Sequence, residues 1–172
     1  KPFVLPDNID DASSSIEIFD PQSNSVKKVD SSMARAMHSA FMAKNGKIYA
    51  IGGIGDMNWG FESRVAEIKV DLGMVDAGVS LSTGRVFPTI IDFSIVDVTS
   101  TNIAVLGGSV LGEENGEGSS FDIISFAEAK PTIKEHGYTT KEANILSAIG
   151  MFGIPVNGGR FLLAGGYMMK DC

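Results

Sequence analysis

Apolar residues in this chain fall in short runs, and the runs recur at intervals. Three of them stop on a glycine doublet: "KIYAIGG" on Gly52-Gly53, "NIAVLGG" on Gly107-Gly108 and "RFLLAGG" on Gly165-Gly166, spaced by 55 and 58 residues. Each run follows a turn and an earlier apolar segment, as in "HSAFMAKNGKIYAIGG", "TIIDFSIVDVTSTNIAVLGG" and "ILSAIGMFGIPVNGGRFLLAGG". Runs of this length, rich in β-branched and aromatic residues and bounded by turn residues, predict three β-hairpins. Asn45-Gly46 predicts a type I′ turn in the first, since that turn needs positive φ at both central positions, and Asn157-Gly158-Gly159 serves the third. The near-continuous apolar character predicts strands covered on both faces. The doublets predict places where backbones approach closely or take unusual φ.

A second pattern alternates with these hairpins. Ser14–Val29, Ser63–Leu81 and Ser119–His136 each hold two short β-prone runs split by a turn-like stretch, "DPQSN", "DLG" and "AEAKP". In chain order this predicts an outer pair, two complete four-stranded sheets and an inner pair, twelve strands in all. One segment competes: Thr139 and Glu142 are spaced as a capping box ahead of the helix formers Ala143–Ile149. The repeat instead asks for a strand starting near Ile145, and that strand is expected.

The stretch Ile16–Gly53 resembles a kelch repeat. It carries Phe19-Asp20-Pro21, then Arg35 ahead of an inner strand, the Asn45-Gly46 turn, Ile48-Tyr49 and the Gly52-Gly53 doublet. The next unit keeps Val70-Asp71, Arg85 and Gly107-Gly108, whereas the third keeps Gly165-Gly166 and a loose strand pattern. Where kelch repeats usually place a tryptophan in the fourth strand, this chain has Val26, Val75 and Ile133. The resemblance implies an all-β fold: a kelch-type β-propeller section of about three four-stranded blades over residues 14–172, part of a six- or seven-bladed ring. The units lie near 14–53, 54–108 and 109–166, with residues 1–13 a linker or extended arm. Propellers close with four to eight blades, so the remaining blades are expected from a longer parent chain or from a second copy in a homodimer.

Composition narrows the function classes. The 172 residues suit one domain with a real core. A net charge of −7 offers no basic stripe for phosphates, so neither nucleic acid nor an anionic membrane surface is an expected partner. No apolar run approaches the roughly 18 residues of a membrane span. "KPFVLPDNIDDASSS" has no secretory pattern. Cys172 is the sole cysteine, which excludes an internal disulfide and argues against a thiolate metal site. A cytoplasmic, reducing compartment is the expectation.

Chemistry is sparse. His38 and His136 are the only histidines, about a hundred residues apart. Some kelch propellers are copper-radical oxidases, but the cross-linked Cys–Tyr pair and further Tyr and His ligands of that family find no match in Cys172, Tyr49, Tyr138 and Tyr167. "GEENGEG" (Gly112–Gly118) lacks the alternating ligand spacing of a calcium loop, and no nucleophile elbow, P-loop or zinc spacing is present. No cofactor, metal or catalytic residue is expected. The resemblance implies a protein-binding scaffold, adaptor or cytoskeletal module; the other reading is a small-molecule enzyme in the propeller channel, such as a sugar mutarotase or isomerase.

Candidate partner-binding residues are therefore loop residues on a rigid scaffold. Trp59, with Asp56 beside it, lies in a glycine-bounded loop, either as an interface anchor or as the cap of a blade edge. Arg35 and Arg85 precede successive inner strands, either presenting charge to an acidic peptide or bonding backbone carbonyls between blades. His38 sits at the loop end of an inner strand. Glu113, Glu114 and Glu117 form an acidic tip that either meets a basic partner or is simply solvated.

Overall fold

The computed structural model describes residues 14–55, 60–108, 120–138, 149–158 and 160–167. Among them the chain is all-β. The strands are β1 (Ser15–Asp20), β2 (Ser25–Asp30), β3 (Arg35–Ala36), β4 (Ser39–Met42), β5 (Ile48–Ile51), β6 (Ile54–Gly55) and β7 (Arg64–Lys69). They continue as β8 (Gly73–Ser80), β9 (Thr89–Asp92), β10 (Asn102–Leu106), β11 (Ser120–Ser125), β12 (Thr132–Tyr138), β13 (Ile149–Val156) and β14 (Arg160–Tyr167). One 3-10 turn, Phe93–Ile95, follows β9, with the Asp92 carboxylate accepting from the Ser94 amide. No helix among the described residues is long and apolar enough to cross a membrane.

All pairings are antiparallel, and most join strands adjacent in the chain; the exceptions are β5 with β7 and β3 with β6. β4-β5-β7-β8 and β9-β10-β11-β12 form two four-stranded sheets, flanked by the hairpins β1-β2 and β13-β14; β3 and β6 make a two-residue pair beside the first sheet. The expected order of pair, sheet, sheet, pair is thus the observed one. Each of the first two doublets falls between the second and third strands of its sheet.

Apolar layers between successive sheets hold them together. Phe41, Tyr49, Ile51 and Val65 of the first sheet pack on Ile103, Val105, Ile124 and Phe126 of the second. The opposite face of the second sheet, through Ile91, Ala104 and Leu106, packs on Met151 and Leu163 of the last hairpin. The other face of the first sheet buries Ala50, Ala66 and Met74 against Met33. Strands covered on both faces explain why the inner runs do not alternate apolar with polar. Ile103 through Leu106 are all buried. The third inner run differs, since Leu162 stands 60% exposed.

The first hairpin turn differs from expectation. Gly46 has φ +80, but Asn45 is not among the residues of positive φ. The Ala43 amide donates to the Lys47 carbonyl and the Gly46 amide to the Ala43 carbonyl. This is a three-residue loop, a type I turn whose left-handed residue is Gly46. Asn45 contributes through its side chain instead, accepting from the Lys47 amide at 3.0 Å. In the third hairpin Val156 pairs with Arg160, and Asn157 and Gly158 turn between them. Its first strand begins at Ile149; Ile145 and the capping-box residues Thr139 and Glu142 lie outside the described residues.

Candidate functional site

The glycine doublets, the starts of the inner strands and the starts of the third strands meet at one end of each sheet. Both residues of every doublet have positive φ: 69° and 102° at Gly52-Gly53, 67° and 81° at Gly107-Gly108, 73° and 95° at Gly165-Gly166. The first two hairpins are entered through a left-handed step two residues before the strand, at Met37 (φ 57°) and Phe87 (φ 52°), and Gly150 (φ 67°), the second residue of β13, takes the same step in the third. Positive φ is uncommon away from glycine, so its occurrence at both Met37 and Phe87, with Gly150 in the matching place, marks one backbone path used three times. At the first two doublets crowding also excludes a side chain: a Cβ on Gly53 would lie 2.4 Å from the Ala36 carbonyl oxygen, and one on Gly108 2.4 Å from that of Val86.

Arg35 and Arg85 organise this end. Arg35 is buried, and its Nη1 donates to the carbonyls of Ala50, Gly52 and Arg64 at 3.2, 3.2 and 2.8 Å. Arg85 is buried too; its Nη1 reaches the Gly107 carbonyl at 3.1 Å and its Nη2 the Ser120 carbonyl at 2.7 Å, with a further bond to Ser120 Oγ. In both units the guanidinium joins the first glycine of the doublet to the first residue of the third strand. A planar, multi-donor fork suits that task and an ammonium does not. The two side chains face backbone rather than solvent, which answers the alternatives in favour of carbonyl bonding, within the arginine's own sheet rather than between sheets.

Hydroxyls tie one unit to the next. Ser39 Oγ donates to the Pro88 carbonyl at 2.5 Å, and Thr89 Oγ1 to the Met151 carbonyl at 3.1 Å. Pro88 and Met151 both immediately precede the residue that matches Ser39 in the next unit. Backbone bonds add to this: the Gly53 amide donates to the Arg85 carbonyl at 2.6 Å and the Phe87 amide to the Met37 carbonyl at 2.9 Å.

Two charged groups found only through the fold complete the site. Glu62 is buried, chelated by Arg64 Nε at 2.9 Å and Nη2 at 2.6 Å, with Arg35 Nη2 at 3.9 Å. Burial pushes its carboxyl up, but the bonds from Arg64 and the charge of Arg35 outweigh this and hold it below the ordinary 4.5. Asp122 is fully buried in β11; Ser82 Oγ donates to it at 2.9 Å, His136 Nδ1 lies at 3.3 Å and Arg85 Nη2 at 4.0 Å. Ser, Asp and His here have the residue types of a catalytic triad but not its order. The carboxylate stands between the other two, so the imidazole is not placed to take the hydroxyl proton. An acidic residue inside the apolar run "SFDIIS" was the sequence signal for a buried, partnered charge.

The depressed Glu62 carboxyl has a pH consequence. With its folded pKa below the unfolded value, the unfolded state takes up the proton first. The stabilisation is complete above about pH 4.5 and is lost as pH falls through the folded pKa. Thermal melts between pH 6 and about 3 should therefore fall more steeply for the wild type than for Glu62→Gln. Parallel curves would remove Glu62 from the acid response.

His38 is half-buried beside Gly53, whose added Cβ would lie 3.1 Å from His38 Cβ. Its buried Nδ1 has no hydrogen-bond partner among the described residues. Desolvation, then the Arg35 charge, lowers its pKa, favouring neutral imidazole. The remaining candidates, Asp56, Trp59, Glu113, Glu114 and Glu117, lie outside the described residues. Their segments, 56–59 and 109–119, follow the first two doublets in the chain. Among the described residues there is no group of three or more His, Cys, Asp or Glu placed to hold a metal ion. No protein-family model matches the chain, and no curated protein matches it.

Proposed function

We propose that this chain is a kelch-type β-propeller section serving as a protein-binding module, with the segments that follow its glycine doublets in the chain as the binding surface. The observation that carries the reading is the backbone frame repeated in successive units: a left-handed entry, an arginine fork and a left-handed doublet. Such a frame fixes strand ends rigidly and leaves the connecting segments to vary, which is the arrangement in which loops carry recognition. In this reading Trp59, three residues after Asp56, is the anchor, and Glu113, Glu114 and Glu117 supply acidic charge. An unpaired basic segment on a partner complements that charge.

The test is capture of binding partners from extract by immobilised chain, compared with Trp59→Ala and with Glu113, Glu114 and Glu117 all changed to Gln. Trp59→Ala should weaken capture about ten-fold or more, the loss typical of an interface anchor, while the circular dichroism spectrum and Tm stay unchanged. Equal capture by both variants, or saturable turnover of a sugar by the wild type, would overturn the proposal.

A further inference from the structure

The first and last hairpins are complementary halves of one sheet. In each complete sheet, the inner hairpin is followed by an outer one: β5 pairs β7, and β10 pairs β11. Among the described residues β14 pairs only with β13 and β1 only with β2. β14 has the place of β5 and β10, because it is the second strand of its hairpin and carries the doublet Gly165-Gly166 near its end; β1 has the place of β7 and β11, because it opens the outer hairpin. Among the described residues, one has no outer pair and the other no inner pair.

We infer that two copies of this chain associate by strand addition, β14 of each pairing antiparallel with β1 of the other to complete a four-stranded sheet. The inference rests on the four-stranded unit proposed above. The register follows from the template within the chain. The residue before the doublet pairs with the second residue of the third strand, Ile51 with Val65 and Leu106 with Phe121. Carried over, Ala164 pairs with Ile16 of the second copy, Leu162 with Ile18, Phe161 with Phe19 and Arg160 with Asp20. The last pair joins opposite charges and the one before it two aromatic rings, both favourable cross-strand combinations. A slip of one residue would lose both, and would turn the apolar set to the wrong face.

The faces match as well. The outward face of the last hairpin carries Phe152 at 64% exposure and Leu162 at 60%. The first sheet has an uncovered apolar pair on the face that lacks a preceding inner hairpin, Met42 at 68% and Ile48 at 39%. Strand addition places these two surfaces together, as the layers inside the chain place Leu106 on Met151. Phe19, 58% exposed in the single copy, moves beside Phe161. Two exchanged pairings close on themselves with two-fold symmetry and leave neither β14 nor β1 as an edge strand.

The experiment is light scattering on the 172-residue chain at micromolar concentration, paired with disulfide trapping. Strand partners lie within disulfide reach, about 4.5–5.5 Å between Cα atoms. In a Cys172→Ser background, Phe19→Cys with Phe161→Cys, and separately Ile18→Cys with Leu162→Cys, should give covalent dimers on mild oxidation. The wild type should scatter at twice the 18.2 kDa of one copy. Leu162→Lys should raise the dissociation constant about ten-fold or more, by burying a charge. A monomer, a larger open polymer, or a dimer that neither cross-links nor responds to Leu162→Lys overturns the inference. A synthetic segment of residues 14–31 with Phe19→Cys separates the two levels. If the chain is monomeric but Phe161→Cys captures this segment, association of copies fails while the four-stranded unit stands; if neither occurs, both fail.

Discussion

Arg85→Ala is expected to cost about 3–5 kcal/mol, the range for removing one partner of a buried ionic cluster. The side chain bridges the Gly107 and Ser120 carbonyls and stands 4.0 Å from the buried Asp122. Truncation leaves two carbonyls in the interior without their donor and a carboxylate without its nearest cation. Asp122 keeps Ser82 and His136, which limits the loss but supplies no permanent charge. A domain of this size has roughly 5–15 kcal/mol in all, so the variant should melt far earlier and be recovered largely unfolded on expression. Arg85→Lys should not restore it, because one ammonium cannot span both carbonyls in the guanidinium plane. Urea unfolding followed by circular dichroism measures the difference. A loss under about 1 kcal/mol, the scale of a surface pair, would show that Arg85 does not organise the sheet end. Arg35→Ala should lose less, since Glu62 retains the Arg64 fork.

What could be read from the sequence was whatever glycine and short apolar runs report. The doublets, the order of strands and the equivalence of Arg35 with Arg85 depend on local chemistry, and all are visible in the letters. Partners that depend on where distant carbonyls converge are not. Nothing beside Arg85 in the sequence names Gly107 or Ser120, which are 22 and 35 residues away. Arg35 and Arg85 looked as suited to a ligand as to a scaffold, because a guanidinium's targets are set by tertiary packing. The left-handed entries were hidden for another reason. Met37 and Phe87 are residues that rarely take positive φ, and only Gly150 hinted at the position. Asn45-Gly46 gave the hairpin but the wrong turn, since the same two residues serve both a two-residue loop and a three-residue one. Asp122 left one local trace, an acid inside the apolar run "SFDIIS", but Glu62, between Phe61 and Ser63, left none, because its partner Arg35 is set by tertiary packing.

The doublets provide a final comparison in which conformation is held constant and crowding is varied. Gly52 and Gly165 occupy equivalent positions with nearly equal φ, 69° and 73°. Alanine at either accepts the same left-handed cost, about 1–2 kcal/mol. Their surroundings differ. A Cβ on Gly52 would lie 2.6 Å from the Arg85 carbonyl oxygen and 2.9 Å from Pro88 Cγ, both from the next unit, while one on Gly165 would meet nothing within 4 Å. Pro88 also accepts the Ser39 hydroxyl bond, so the neighbour cannot retreat without breaking a tie between sheets. Overpacking of this kind adds about 1–3 kcal/mol. Gly52→Ala should therefore destabilise the isolated chain by about 2–5 kcal/mol and Gly165→Ala by only about 1–2, in urea melts at concentrations dilute enough to hold a single copy. Equal losses would mean that the doublets serve backbone conformation alone and that close approach of neighbouring units has no part in them. At high concentration the two should converge. Strand addition brings a second copy's Arg35 carbonyl and His38 over Gly165, in the places that Arg85 and Pro88 hold over Gly52, so Gly165→Ala should weaken self-association while scarcely affecting the fold.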